Sequence, residues 1–330
     1  MKVVIAEVED WEIGRLKEFG DNSIIIKEKI DGSNANKYSD CEILCVFIHS
    51  KLDSSVLSKM KNLKYIVTRS TGFDHIDLKY CRKNKIKVLN VPEYGTHTVA
   101  EHTFALILAL TRKIPESIER AREDQWSVQG LMGDDLYGKT LGIIGLGKIG
   151  QDVARKARAF GMEIISYTKH KNMKIAKSLG VKYESLDNLI KKSDVITIHT
   201  PLTRETRHLI NKRRVGMMKK GVYLINTARG EIIETSAIID GIDSGIIKGA
   251  ALDVLEGEGD IIEEHDIIKN KMSDKETKVL LRNHMLMKNH NVLLTPHVAF
   301  YTKEALDRIL TTSCKNITSC MKNKPINLVR

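Results

Sequence analysis

Short runs of Val, Ile and Leu alternate along this chain with longer stretches compatible with helix. Near the start, the runs at Lys2–Ala6, Ile43–Ile48, Tyr65–Thr68 and Lys87–Asn90 read as strands. Each is separated from the next by enough sequence for a crossover, which is the βαβ rhythm of a parallel sheet covered on both faces. A long helix is expected from about Thr98, which with Glu101 has the spacing of a capping box. It runs through the apolar stretch Phe104–Leu110 until Pro115 interrupts the pattern. After a loop around Gly130–Gly138 comes a second and stronger βαβ series, with strands at Thr140–Ile144, Glu163–Tyr167, Val195–His199, Val222–Asn226, Gly249–Val254 and Val292–Leu294. The stretch between Gly257 and Asn291 is polar and irregular and reads as a long excursion over the surface, whereas Lys303–Cys320 is helix-like. There is no short repeat and no low-complexity tract. Two doubly wound α/β domains, each built on a parallel sheet, are the simplest account.

Composition narrows the class. At 330 residues the chain is comfortable for two domains, and its 42% apolar and 29% charged residues fit a soluble globular protein. The longest apolar run, Phe104–Leu110, is far too short for a bilayer, which takes about 20 residues, so no membrane partner is expected. The N-terminus reads as a first strand followed at once by Glu7, Glu9 and Asp10, not as a secretory signal, and a cytoplasmic location is expected. The cysteines at 41, 45, 81, 314 and 320 are odd in number and lack C-x-x-C spacing, so buried, inert thiols are expected and no disulfide framework or metal site. The formal charge of +11 is scattered along the chain, and no nucleic-acid partner is expected.

One motif carries chemistry. Gly145, Gly147 and Gly150 form G-x-G-x-x-G, a weak pattern alone, but here an apolar strand precedes it and a helix, Gln151–Phe160, follows. That context fits dinucleotide binding: the first glycine for the turn, the second for close approach to a pyrophosphate, the third for helix–strand packing. The helix N-terminus offers N–H groups and a positive dipole end to the phosphates. The same fingerprint expects an acid after the next strand to bind the ribose 2′-hydroxyl. Thr168 stands there instead, followed by Lys169 and Lys171. These residues suit a 2′-phosphate, so NADPH is expected to be accepted well, with NADH as the secondary cofactor; if the lysines are merely solvated, NADH stays usable.

Three later segments lie at strand ends, on the edge where such folds bind ligands: Asn226-Thr227-Ala228-Arg229-Gly230, Leu252 to Glu258, and Thr295-Pro296-His297. Together Arg229, Glu258 and His297 suit carbonyl reduction. A guanidinium holds a carboxylate, a histidinium gives the carbonyl oxygen its proton, and a carboxylate beside the histidine favours its charged form. Singly, each has a plainer explanation: Arg229 as a surface charge, Glu258 as a solvated loop acid, His297 as a turn residue.

With the glycine fingerprint, these segments resemble the D-isomer-specific 2-hydroxyacid dehydrogenases, and the resemblance runs over nearly the whole chain. Thr71–Asp77 resembles the family's substrate-domain loop, Val91–His102 the crossing into the cofactor domain, and His199–Thr203 the loop near the adenine. Leu252–Glu258 and Thr295–Leu306 resemble the D-lactate dehydrogenases in particular, including the glycopeptide-resistance type. The resemblance implies a Rossmann cofactor domain, about 99–298, inserted into a discontinuous flavodoxin-like substrate domain, about 1–98 and 299–330, with a cleft between them as the active site. It assigns Arg229 to substrate binding, His297 to proton donation and Glu258 to its partner. It places phosphates on Lys148 and Ile149, and further cofactor contacts at Thr168, Thr200, Pro201, Thr206, Thr227, Ala228 and Asp253. Thr71, Gly72 and Tyr94 would reach the substrate, although Tyr94 equally suits plain packing at a domain junction.

The implied reaction moves hydride between NAD(P)H and a small 2-oxo acid, pyruvate above others, to give a D-2-hydroxy acid. A homodimer through the cofactor domain is implied as well. The chain ends soon after the helix beginning near Lys303, so no C-terminal regulatory domain is expected, and Glu258 stands where formate dehydrogenases of the superfamily have glutamine. The rival reading is a nicotinamide-sensing corepressor on the same fold, which could keep every one of these residues.

Overall fold

The computed structural model describes residues 1–20, 23–258 and 274–329. The chain divides into two compact units, the first comprising Met1–Tyr94 and Tyr301–Arg330, the second Gly95–Phe300. The first contains five parallel strands, β1 (Val3–Ile5), β2 (Ser23–Ile25), β3 (Ile43–Val46), β4 (Tyr65–Thr68) and β5 (Lys87–Leu89), in the order β2-β1-β3-β4-β5. The second contains seven, β6 (Thr140–Ile144), β7 (Glu163–Tyr167), β8 (Val181–Tyr183), β9 (Val195–Ile198), β10 (Val222–Asn226), β11 (Ile247–Leu252) and β12 (Val292–Leu294), in the order β12-β11-β10-β9-β6-β7-β8. The first order is flavodoxin-like and the second Rossmann-like, as the sequence predicts for the fold class.

Strand periodicity explains why both sheets are covered on both faces. In the first unit Val4, Leu44, Val46 and Ile66 enter one core, while Val3, Ile5, Ile43, Cys45 and Val67 enter the other. Leu310, Ile317 and Cys320, from the terminal helix Lys303–Met321, fill that second core. The chain returns to its first unit because β1, β3 and β4 leave an apolar face that this helix buries. Thr302 caps the helix, its side chain accepting from the Ala305 N–H at 3.2 Å. In the second unit Ile196, Ile198 and Leu224 lie on one side of the sheet and Val195, Tyr223 and Ile225 on the other. Cys41, Cys45, Cys81 and Cys320 are buried and all five cysteines are free, with burial pushing the Cys41 and Cys45 thiols up to about 12.

Several local expectations are corrected. The long helix spans Thr96–Thr111 and starts after Gly95 without a side-chain cap; Thr98 lies buried inside it, so the Thr98–Glu101 spacing is not a capping box. Pro115 ends nothing, because it occupies the first turn of a new helix, Ile114–Arg122, where its missing N–H costs no hydrogen bond. The polar excursion contains a regular helix, Asp274–Met287, while its residues 259–273 lie outside those described. The strands β2 and β8 were not anticipated. Both lie at sheet edges, and of their six residues only Val181 is buried.

Candidate active site

In the second unit the strand order reverses direction between β6 and β9, and ligands bind beyond the carboxyl ends at such a point. Gly145 follows β6 with φ +100°, a left-handed conformation, and a Cβ there would stand 2.5 Å from the His199 carbonyl oxygen. A Cβ on Gly150 would stand 2.1 Å from the Gly145 carbonyl oxygen, so the helix Lys148–Ala159 packs directly on the turn. Above Gly147 there is open space within 4 Å, and the helix it precedes has no side-chain cap. An open approach to an uncapped helix N-terminus, with Lys148 and Ile149 in its first turn, fits the pyrophosphate of a dinucleotide.

Around this turn the other expected cofactor residues fall unevenly. Thr168 is half-buried at the end of β7, and Thr200 and Pro201 follow β9 beside Gly145. Thr206 turns inward: its hydroxyl donates to the Pro201 carbonyl at 2.7 Å and accepts from the Thr203 N–H at 2.7 Å, folding the loop 200–206. Lys169 does not stand as a lone cation, because its Nζ lies 2.9 Å from Glu205 Oε2, both side chains being exposed. Lys171 Nζ lies 5.8 Å over the Tyr183 ring. The acid beside Lys169 comes from the loop after β9, which sequence adjacency does not signal.

The three catalytic candidates follow adjacent strands β10, β11 and β12. After β10, the Asn226 side chain donates to the Arg229 carbonyl at 2.8 Å and accepts from the Ala228 N–H at 3.0 Å, pinning the turn that presents Arg229. The Thr227 hydroxyl lies 3.1 Å from that of Thr103. A Cβ on Gly230 would fall 2.0 Å from the Leu255 carbonyl carbon, so the loop after β10 and the loop after β11 touch backbone to backbone. Glu258 Oε1 lies 2.8 Å from His297 Nδ1, leaving the other ring nitrogen of the half-buried imidazole to face a reactant. Burial pulls the His297 pKa down, but the hydrogen bond and charge of Glu258, with Asp253 adding, outweigh it and Arg229, and the net shift is upward.

Asp253, expected to contact the cofactor, has a side chain with no exposed surface. Its carboxylate instead accepts from the Thr295 hydroxyl at 2.5 Å and from the N–H groups of Val298 and Ala299, each at 2.9 Å. His102 Nε2 lies 3.5 Å from Asp253 and 3.2 Å from the Thr295 hydroxyl. Burial would raise the Asp253 pKa, yet His102, Thr295 and the two amides hold it below the ordinary carboxylate range. The loop carrying His297 is folded around this anion, and His297 itself sits at φ 52°. Asn226, His102 and Thr295 escape sequence reasoning because hydrogen bonding, within one turn for Asn226 and across distant segments for His102 and Thr295, leaves no periodic trace.

In the first unit Thr71 is exposed and Gly72 half-buried, and their amide N–H groups have no acceptor among the described residues. The loop is braced from behind. The Thr71 hydroxyl donates to the Val91 carbonyl at 2.7 Å, and Arg69, 2% exposed, donates to Glu12 at 2.9 Å and to the Ala6 carbonyl at 3.0 Å. Tyr94 is half-buried and its carbonyl accepts from Arg308 at 2.7 Å.

Comparison with known proteins shows the family to which this fold belongs. Residues 104–299 match the family described as D-isomer specific 2-hydroxyacid dehydrogenase, NAD binding domain. The chain is 36% identical over 295 residues to D-lactate dehydrogenase of Escherichia coli (strain K12), covering 88% of this chain and 86% of that one. It is 38% identical over 290 residues to a glyoxylate reductase of Thermofilum pendens (strain DSM 2475 / Hrk 5), covering 86% and 80%. Among solved structures, D-lactate dehydrogenase from Aquifex aeolicus complexed with NAD and lactic acid matches with a TM-score of 0.89 at 38% identity, over 98% of this chain and 96% of its own. The chain belongs to the D-isomer-specific 2-hydroxyacid dehydrogenase family, whose NAD-binding domain lies in its second unit.

The glycine geometry separates two substitutions. Gly150→Ala, which drives a Cβ into a backbone oxygen, should destabilise the protein by about 1–3 kcal/mol in urea denaturation. Gly147→Ala should leave the denaturation midpoint unchanged and weaken NADH binding in a fluorescence titration. Equal midpoints for both variants, or normal binding by Gly147→Ala, would contradict the assignment.

Proposed function

We propose that this chain reduces a small 2-oxo acid, pyruvate foremost, to the D-2-hydroxy acid, using NADH or NADPH. The observation that carries this reading is the Glu258–His297 pair, 2.8 Å apart across the ends of β11 and β12, next to the end of β10, which bears Arg229. A bound nicotinamide would supply hydride to the carbonyl carbon. Arg229 would hold the substrate carboxylate and polarise the carbonyl. His297, kept protonated by Glu258, would give its proton to the carbonyl oxygen and be left neutral. Thr71, Gly72 and Tyr94 of the first unit are assigned to the substrate. Lys148, Ile149, Thr168, Thr200, Pro201, Thr227 and Ala228 are assigned to the dinucleotide. Five free thiols suit a reducing compartment, and a cytoplasmic location is part of the same proposal.

The test is turnover of a 2-oxo acid panel, pyruvate and glyoxylate included. Wild type should reduce at least one member at enzymatic rates, and His297→Asn should lose about 10²–10⁴-fold in kcat while still binding NADH. Reduction needs the imidazolium, so activity should fall as pH rises through the raised His297 pKa, and Glu258→Gln should move that alkaline limb to lower pH. No turnover of any panel member, or a limb unmoved in folded Glu258→Gln, would count against the mechanism.

On cofactor choice, Thr168 and two nearby lysines favour accepting a 2′-phosphate, while Glu205 opposes it. An exposed ion pair such as Lys169–Glu205 is screened by water and salt, so it yields readily to a phosphate. NADPH should therefore be used well alongside NADH. Thr168→Asp should depress kcat/KM for NADPH far more than for NADH, and Glu205→Gln should shift the ratio toward NADPH by up to about fivefold. Strong rejection of NADPH by wild type, or a ratio indifferent to both substitutions, would overturn this assignment.

The homodimer is assigned to the second unit, where Ile118, Trp126, Val128, Met132 and Tyr137 form an exposed apolar series reaching 85% exposure at Met132. Wild type should sediment as a dimer and Trp126→Asp as a monomer. A monomeric wild type, or a Trp126→Asp protein that stays dimeric, would remove this surface from the role.

A further inference from the structure

Glu256 and Glu258, two residues apart, each grip a histidine. Glu258 Oε1 lies 2.8 Å from His297 Nδ1, and Glu256 Oε1 lies 2.7 Å from His208 Nε2. Both histidines have left-handed backbones, with φ 52° at His297 and 50° at His208, and Gly257 between the carboxylates has φ 69°. Strained backbone of this kind persists only where the surroundings over-determine it. Glu256 is 7% exposed, and every side of it is engaged. Its Oε2 accepts from the Thr235 hydroxyl at 3.0 Å, Arg207 stands 4.0 Å from its Oε1, and its carbonyl accepts from buried Asn283 at 2.9 Å. The His208 N–H donates to the Glu231 carbonyl at 2.8 Å. Glu256 therefore ties together the loop after β9, the segment after Arg229, the helix Asp274–Met287 and its own turn.

We propose that the Glu256–His208 pair is a positioning device that fixes the turn 255–258, and with it the carboxylate that holds the proton on His297. Glu256 touches no reacting atom and is not catalytic. Its effect passes through Gly257, which has no side chain to hold its own position and joins Glu256 directly to Glu258. The Glu258 carboxylate folds back to accept from the Leu255 N–H at 3.2 Å, so its position depends on the backbone that Glu256 anchors. The charges facing His297 are Glu258, Asp253 and Arg229, and of these Asp253 and Arg229 are held by other contacts. Loosening Glu256 should therefore move Glu258 selectively. This inference rests on the reading of Glu258 as the partner of His297.

The experiment is an NMR titration of the His297 imidazole in the free protein, its signal identified by loss in His297→Asn, together with the pH profile of kcat/KM. The reference variant is Glu258→Gln. The test variants are Glu256→Gln, which keeps the side-chain shape, and His208→Asn, since asparagine tolerates a left-handed φ. In both, the His297 midpoint should fall by about half a pH unit, less than in Glu258→Gln, and the alkaline limb of kcat/KM should follow. A merely structural role would lower the melting temperature and leave the midpoint in place. If Glu258→Gln shifts the midpoint and neither test variant does, the positioning role is wrong and the catalytic reading survives. If Glu258→Gln shifts nothing, both fall together. Should one test variant fail to fold, the other decides.

Discussion

A carboxylate with no exposed surface organises the carboxyl edge of the second sheet. Burying an anion costs several kcal/mol unless its oxygens are fully engaged. Asp253 meets that condition with the Thr295 hydroxyl, two consecutive amides and His102. The two amides belong to the residues directly after His297, so the anion dictates how the chain leaves β12. The Asp253 backbone also takes part, its N–H donating to the Asn226 carbonyl and its carbonyl accepting from the His297 N–H, both at 2.9 Å. The ends of β10, β11 and β12 are thereby joined at one residue. Arg229, Glu258 and His297 emerge on three loops whose relative placement follows from that junction.

The same junction rests on a close backbone approach. Gly230 lies against Leu255 with no room for a methyl group, which lets the turn bearing Arg229 meet the turn bearing Glu258. A side chain at 230 would part the two turns and separate the guanidinium from the carboxylate–imidazole pair. Glycine here serves close approach, whereas at Gly145 the left-handed φ of +100° also demands it. Two kinds of constraint, one electrostatic and one steric, converge on the same few residues.

Much of this was legible in the sequence, and the limits have physical causes. Short runs rich in Val and Ile, such as Val195–Ile198 and Val222–Asn226, defined the sheets, because residues on both faces of a strand must pack into apolar layers. The glycine spacing located the dinucleotide turn. The edge strands β2 and β8, with only Val181 of their six residues buried, escaped, as did the helix Asp274–Met287, whose polar character hides its periodicity. Thr98 misled because a capping-box spacing says nothing about whether the residue is outside the helix; it is buried within it. The catalytic candidates were legible from their resemblance to a family, but their supports were not. His102 and Thr295 are nearly two hundred positions apart in sequence yet share one buried anion. Lys169 and Glu205 likewise meet across a sheet edge, so a local reading of charge after β7 counted the cations and missed the acid.

On the proposed mechanism, the electrostatics around His297 would couple substrate binding to protonation. Glu258 and Asp253 raise the proton affinity of His297, and the positive charge of Arg229 lowers it. On the proposed mechanism a substrate carboxylate settles on Arg229 and neutralises much of its field. The opposing influence on His297 then weakens, while those of Glu258 and Asp253 remain. Binding a 2-oxo acid therefore favours the imidazolium that the reaction consumes, and by linkage a protonated His297 favours binding of the anion. A neutral carbonyl compound without a carboxylate would gain no such assistance. On that mechanism the arrangement would discriminate between substrates through the charge state of the acid as well as through direct contact with the guanidinium.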